Sequence, residues 1–525
     1  MSPETPVAQQ PDPSAASPTS AKPPAQAVGR PKIACDLAVV GCGTVALEAA
    51  RAAIRRRARV VLVYQGSSES AAKVDPWLLS RALDLVQQEP ALAPRTGRAT
   101  TTESAPPTGA LGLLQRALQS ATRTAEDCAV EDLARAGAEV VHGSAIFTGL
   151  NTLKAGSLEV QFGHAILAPG SVATRPEFVV PEGDAVLTEA TLGRLEELPQ
   201  RLAVFGSNRQ ACQWARLFRR LGCEVHLIDR DYAILSEEDP LISAIVEAQL
   251  RRNAIRLQLG CQDIRIETMR QRRAIVIDRE DGKEKLLVDE IFWCGPRRLE
   301  TAGLGLEAAG VVYTDRAILV NDALQTTNRR IYVAGEGCGA RYGGALAAQA
   351  TVRTAVRNAL APLGGLVRQR FDWHLVPRGL YNDPEIIQIG LTHHEIAAWR
   401  SELDTYRQVL ATADRASGES ALGEFIEVVV NRSSGRIASV TAVAEKAEEW
   451  IAPLQVLMAR RLPLAALADV VSCYPSRLEL LKRVADRYLA DYEARYGTGW
   501  QGQGRALWER LVRGCRRIVS GRVRP

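Results

Sequence analysis

Two glycine turns, each set between an apolar strand and a helix, carry the residues with the clearest chemistry. In CDLAVVGCGTVALEAARAAIRRRARVVLVYQ, which begins at Cys35, the apolar run 37–40 enters Gly41 and Gly43. Ala46, an Ala-rich helix and a second strand over 60–63 follow. This strand–turn–helix–strand order is a dinucleotide fingerprint in its proper context. Gly41 permits the tight turn, and Gly43 lets backbone amides approach a pyrophosphate at the helix N-terminus. A second unit reads RLAVFGSNRQACQWARLFRRLGCEVHLIDR. Its strand over 202–205 meets a turn at Gly206, a helix through 221 passes Ala211, and a strand over 225–228 ends in Asp229. Asn208 stands where a second glycine is expected, and its side chain obstructs a close pyrophosphate. Asp229 is placed to accept hydrogen bonds from an adenosine ribose, which favours unphosphorylated NAD over NADP.

The elements around these turns set their order. HAILAPGSVATRP predicts a strand over 165–168 that breaks at Pro169 and Gly170, directly after Ala168. Much later, NRRIYVAGEGCGARYGGALAAQATVRTAVRNAL predicts a short strand over 331–334, then Gly335, Glu336 and a small-residue helix. The second nucleotide unit is therefore expected to be inserted into the first, in an α/β architecture.

These residues resemble the flavoprotein disulfide reductases, the group of glutathione reductase, lipoamide dehydrogenase and mercuric reductase. The resemblance spans roughly residues 34 to 490, with its motifs in family order. It implies that Gly41, Gly43 and Ala46 cradle the FAD pyrophosphate. It matches Ala168, Pro169 and Gly170 to the family's ATG segment, and Gly206 to Ala211 to its second fingerprint. It matches Ala334, Gly335 and Glu336 to the late flavin segment, where the family has an Asp that accepts from the ribityl chain. VPRGLYNDPEIIQIGLT resembles the opening of the family's interface domain, which pairs two subunits.

Departures from that pattern bear on function. Tyr64 stands where the family has an acid for the FAD ribose. The family's CxxxxC pair is missing: alignment on the following proline puts Glu69 and Val74 at the two cysteines and Leu78 at a flavin-facing lysine. Cys42 and Cys128 have no neighbouring cysteine under any alignment. Without a dithiol, a reduced flavin cannot pass electrons by thiol–disulfide exchange. In VVSCYPSRLELL, Tyr474 replaces the interface His while Glu479 remains, and a phenol of pKa about 10 cannot exchange protons at neutral pH as imidazole does. Gln213 replaces a Glu that the family places near the nicotinamide.

The chain of 525 residues is long enough for about three domains. The expected organisation is an N-terminal arm over 1–33, disordered because it is rich in Pro, Ala, Ser and Gln, and an FAD domain over 34–185 and 321–365. An NAD-type domain over 186–320, an α/β interface domain over 366–492 and a basic extension over 493–525 complete it. Helices are expected over 76–86 and 111–133, with a Pro- and Thr-rich loop over 87–110 between them. Within 505–522, Trp508, Leu511, Val512, Ile518 and Val519 share a helical face and arginines crowd the rest. That pattern suits a docked terminal helix, an anionic membrane surface or a protein partner.

The 10 cysteines form no CxxC pair and the 6 histidines no metal-ligand spacing, so no metal site is expected and unpaired cysteines are read as inert buried thiols. Arginines cluster only at the end, without a reader fold, so no nucleic acid is expected. The arm lacks the apolar core of a signal peptide and no stretch approaches a membrane span, so the expected location is the cytoplasm, with or without peripheral membrane contact. Two functional readings follow. One is an FAD oxidoreductase that takes hydride from NADH and reduces a quinone or one-electron acceptor. The other is a homodimeric scaffold, nucleotide sensor or regulatory subunit that has lost the chemistry.

Overall fold

The computed structural model describes residues 32–41, 43–64, 124–176, 186–269, 272–279, 282–339, 345–361, 368–410, 424–473 and 476–497, with isolated positions 112, 114 and 178. The expected arm, the helix over 76–86, the loop over 87–110 and the basic segment 505–522 lie outside the described residues. Of the helix expected over 111–133, the structure describes α2 (Thr124–Arg135).

The first nucleotide unit is a parallel sheet with an antiparallel extension. Strands β1 (Lys32–Gly41), β2 (Val60–Tyr64) and β3 (Glu139–His142) run side by side. On the other flank of β1 lies β6 (Leu158–Ala168), which also pairs in parallel with β16 (Ile331–Val333). The first residues of β6 instead close an antiparallel meander with β4 (Ala145–Phe147) and β5 (Thr152–Ala155). This dual pairing explains why β6 begins well before the expected residue 165.

Helix α1 (Gly43–Ile54) covers this sheet with Ala46, Leu47, Ala49, Ala50 and Ala53. Alanine has the best helix propensity and, lacking bulk, lets helix and sheet approach closely. The helix ends where Arg57 turns to a φ of 60°, with the Ala58 amide donating back to the Ala53 carbonyl.

The second unit repeats the plan. Its parallel sheet has the order β10 (Arg256–Gln258), β9 (Glu224–Ile228), β8 (Arg201–Phe205), β14 (Glu290–Trp293). Along β8, Leu202 and Val204 enter one core, shared with helix α3 (Arg209–Arg220), whereas Ala203 and Phe205 enter another. The second core lies against a three-stranded meander, β11 (Asp263–Met269), β12 (Arg272–Arg279) and β13 (Gly282–Val288). A sheet buried on both faces needs apolar residues at every position, which is why β8 shows no polar alternation.

A two-stranded ribbon joins the units: β7 (Ser171–Ala173) pairs antiparallel with β15 (Arg297–Leu299). The C-terminal part is a five-stranded antiparallel sheet, β17 (Arg378–Leu380), β18 (Glu385–Gly390), β21 (Ile437–Ala444), β20 (Phe425–Asn431) and β19 (Leu403–Val409). Ile387 and Ile389 of β18 pack with Trp450, Leu454 and Val484 of its own helices. Ile386, one residue off in the period of two, joins the core of the second nucleotide unit. This sheet thus docks directly on its neighbour.

Candidate functional site

The first turn gathers most of the glycines singled out in the sequence. At the end of β1, Gly41 has a φ of +151°, and a Cβ there would sit 2.0 Å from the Ala168 carbonyl oxygen. Only glycine allows the ends of β1 and β6 to approach so closely. Gly43 (φ +74°) opens α1, whose first turn carries no acidic residue, and Ala46 is fully buried beneath it. Gly170 follows the end of β6, and Gly335 and Glu336 follow β16. The Gly335 amide donates to Thr351 Oγ1 at 2.9 Å. Gly41, Gly43, Ala46, Ala168, Gly170, Gly335 and Glu336 therefore converge at the carboxyl ends of β1, β6 and β16. Open α/β sheets bind ligands at that edge, and an acid-free helix N-terminus suits an anion.

The second turn differs in one respect. Gly206 has a φ of +125° and Ala211 is fully buried, but Asn208 takes ordinary extended angles and caps α3 itself. Its Oδ1 accepts from the Ala211 amide at 2.9 Å and its Nδ2 donates to the Cys294 carbonyl at 2.7 Å. The seat that a pyrophosphate would take is thus partly filled by the protein's own side chain. Arg209 is also committed, donating to Glu238 Oε1 at 2.6 Å and to Gln388 Oε1 at 2.5 Å. Asp229 lies half-buried just beyond β9, with Oδ1 accepting the Asp231 amide at 2.9 Å.

A polar chain that no sequence motif announced runs between the two turns. The Ser171 hydroxyl donates to Glu336 Oε2 and accepts from Arg297 Nε at 2.9 Å. Arg297 also donates through Nη2 to the Ser171 carbonyl (2.7 Å) and through Nη1 to Glu189 Oε2 (3.4 Å). Glu189 Oε1 accepts from Gln210 Nε2 at 2.7 Å and from the indole N–H of Trp214 at 3.0 Å. The Glu189 side chain is 9% exposed and that of Arg297 22%, so solvent screens this pair weakly.

Tyr64, and Glu479 beside the altered interface motif, make contacts within the chain itself. Tyr64 is buried at the end of β2 with its ring edge toward His142, 6.3 Å between centroids. Gln213 is half-buried on α3. Glu479 receives Arg483 Nη2 at 2.7 Å within its own helix, Arg477–Tyr496. Tyr474, Glu69, Val74 and Leu78 lie outside the described residues.

Six of the seven described cysteines are buried; Cys473 alone among them is exposed. Burial pushes the thiols of Cys35 and Cys223 up to about 11, those of Cys212 and Cys338 up to about 12, and Cys294 well above its ordinary value. None of these five supplies a thiolate at neutral pH. His374 is held between Asp372 and Glu395, 3.5 and 3.3 Å away, and its pKa is raised first by the Asp372 hydrogen bond. No group of three or more His, Cys, Asp or Glu among the described residues could hold a metal.

Two dinucleotide-type units joined by a short ribbon, with an antiparallel sheet docked beside them, define a two-nucleotide oxidoreductase architecture. Comparison with known proteins agrees. The family model "Pyridine nucleotide-disulphide oxidoreductase" matches residues 35–358, and its dimerisation domain matches 376–485. The mercuric reductase of Staphylococcus aureus is 26% identical over 86% of this chain and 82% of its own length; that of Streptomyces lividans is 26% identical over 87% and 96%. Among solved structures, the HOCl-induced flavoprotein disulfide reductase RclA of Escherichia coli superposes with a TM-score of 0.69 at 20% identity. LpdA of Mycobacterium tuberculosis gives 0.71 at 21%; each match covers 86% of this chain and 99% of the other. The chain belongs to the pyridine nucleotide-disulphide oxidoreductase family. It carries that family's dimerisation domain, which supports a homodimer, and no helix among its described residues is long and apolar enough to cross a membrane.

Proposed function

We propose that this protein is an FAD-dependent oxidoreductase that takes hydride from NADH and passes electrons to an acceptor other than a disulfide, such as a quinone or one-electron acceptor. One observation carries the reading. The glycine cradle at the ends of β1, β6 and β16 is complete, while the chain contains no CxxxxC pair to receive electrons. The residues present suit the cofactor: Gly41, Gly43 and Ala46 would hold its pyrophosphate, Ala168 and Gly170 would line the turn, and Gly335 and Glu336 would meet its polar chain. When bound, the flavin would supply hydride acceptance and one-electron release.

The protein's own part is to bind and orient. The α1 N-terminus offers amides to an anion, and Glu336, whose Oε2 accepts from the Ser171 hydroxyl, brings a carboxylate to the same edge. In the second unit Gly206 and Ala211 would border the nicotinamide cofactor and Asp229 would accept from its ribose. The domain limits 34–185, 186–320, 321–365 and 366–492 belong to the same proposal. So does a cytoplasmic location, with residues 505–522 meeting a membrane surface or a protein.

A second reading, a homodimeric scaffold or nucleotide sensor, draws on the side chain of Asn208 capping α3 and on buried Tyr64 in place of the ribose acid. Anaerobic addition of NADH to the purified flavin-loaded protein separates the two. Rapid bleaching of the flavin absorbance, followed by reoxidation with a quinone but not with a small disulfide, is expected. A bound flavin that never bleaches would establish the scaffold.

A further inference from the structure

We propose that Arg297 is a positioning residue that ties the Glu336 carboxylate to the second nucleotide unit through Ser171 on one side and Glu189 on the other. This deepens the flavoprotein reading and rests on it. Arg297 belongs to the ribbon strand β15, opposite Ala173 in β7. From there its guanidinium reaches both units. Nε holds the Ser171 hydroxyl, which in turn donates to Glu336 at the end of β16. Nη1 meets Glu189, whose other oxygen is fastened to Gln210 and to Trp214, a fully buried residue of α3. The cation stands between two acids, one at each nucleotide turn.

Three physical points give this arrangement its role. A guanidinium stays charged at any pH the protein meets, so the link cannot be lost by titration of Arg297. Its planar fork grips the hydroxyl and the carbonyl of Ser171 together, which fixes the direction in which that hydroxyl points. Ser171 must accept from Arg297, so its proton is directed to Glu336, and the carboxylate is held in one orientation as an acceptor. Glu is a methylene longer than the Asp of the resembled family, and the extra rotatable bond makes such an anchor necessary. Removing the cation would take away the two bonds that fix Ser171, so its hydroxyl could turn and the Glu336 carboxylate would lose that anchor.

The test is FAD affinity of the full-length protein, read by recovery of flavin fluorescence on release. It is measured for wild type, Arg297→Met, Glu189→Gln, Glu336→Gln and the double variant Arg297→Met/Glu336→Gln. Arg297→Met should weaken FAD by roughly ten- to one-hundred-fold, the range for hydrogen bonds to charged groups. Glu189→Gln, altered only in the second unit, should weaken it by a smaller factor in the same direction. The double variant should bind no worse than Glu336→Gln alone, because Arg297 acts through that carboxylate.

Wild-type affinity in both Arg297→Met and Glu189→Gln would overturn the proposal, as would a double variant whose two losses simply multiply. If Arg297→Met fails to fold, Glu189→Gln decides. Wild-type protein that takes up no FAD would sink the flavoprotein reading instead. The link is then read in the apoprotein by the Trp214 emission, taken as a difference from Trp214→Phe: a shift in Glu189→Gln supports it, and unchanged emission overturns it.

Discussion

Replacing Asn208 with glycine tests how the second nucleotide turn works, because stability and affinity should move in opposite directions. The side chain makes two bonds, one to the Ala211 amide and one to the Cys294 carbonyl. Exchanging an Asn cap for Gly costs a few tenths of a kcal/mol. Stripping a buried carbonyl of a donor costs about 1 kcal/mol. The sum, about 1–1.5 kcal/mol, corresponds to a fall of roughly 2–6 °C in Tm for domains of this size. The same change frees the Ala211 amide and clears the approach of a phosphate. A hydrogen bond from an amide to a charged group contributes about 1.5–3 kcal/mol, so the Kd for NADH should fall about tenfold or more.

NAD+ carries the same pyrophosphate as NADH, so its binding followed calorimetrically beside a thermal melt reads both quantities. General loosening of the fold would lower Tm and weaken binding together. An affinity that stays constant or falls while Tm drops would refute the reasoning and show that the cap does not compete with the dinucleotide.

Other expectations follow from the same geometry. Gly41→Ala places a methyl against the Ala168 carbonyl at 2.0 Å in a conformation L-residues rarely adopt; a loss of at least about 3 kcal/mol and of bound FAD is expected, measured by thermal melting and flavin absorbance. His374→Ala should destabilise the protein near pH 5.5 and have little effect near pH 9. The folded pKa of His374 is raised, so its contribution is full below the unfolded value of about 6.5 and is lost as pH rises through the folded value. The carboxyl of Asp372 is lowered, chiefly by the His374 hydrogen bond, so its share is lost instead as pH falls below the ordinary Asp range. Because the His374 ring is about one-third exposed, the effect should be small, and equal melting shifts at the two pH values would contradict it. Thiol titration of the native protein should find Cys473 reactive and Cys212, Cys294 and Cys338 silent until the chain unfolds.

What the sequence by itself determined is local. The strands at β1, β2, β8 and β9, the turns at Gly41 and Gly206 and the helices that follow depend on neighbours a few residues apart. Apolar runs, glycine and helix propensity therefore report them directly. The order of the motifs also disclosed the insertion of one unit in the other, and the missing CxxxxC pair needed no coordinates. Periodicity was less informative where a strand serves two partners: the early part of β6 pairs in parallel with β1 and antiparallel with β5, and its Glu159 and Gln161 break the apolar run of a buried parallel strand. The hairpin of β12 and β13 was legible but went unread: Asp281-Gly282 stands between two alternating apolar runs, the pair of residues that a tight hairpin turn favours.

Only the tertiary structure decided how the two turns are connected. Ser171 and Glu336 lie 165 positions apart, Ser171 and Arg297 126, and Arg297 and Glu189 108. No residue pattern of short range encodes those meetings; they arise because β7 and β15 pair and bring the ends of two sheets to one place. Asn208 shows the same division. Its type marked the position as unusual, but its second bond needs the Cys294 carbonyl, 86 residues away, which the pairing of β14 with β8 delivers. Composition chooses the groups that can make a contact, and long-range strand pairing chooses which of them meet.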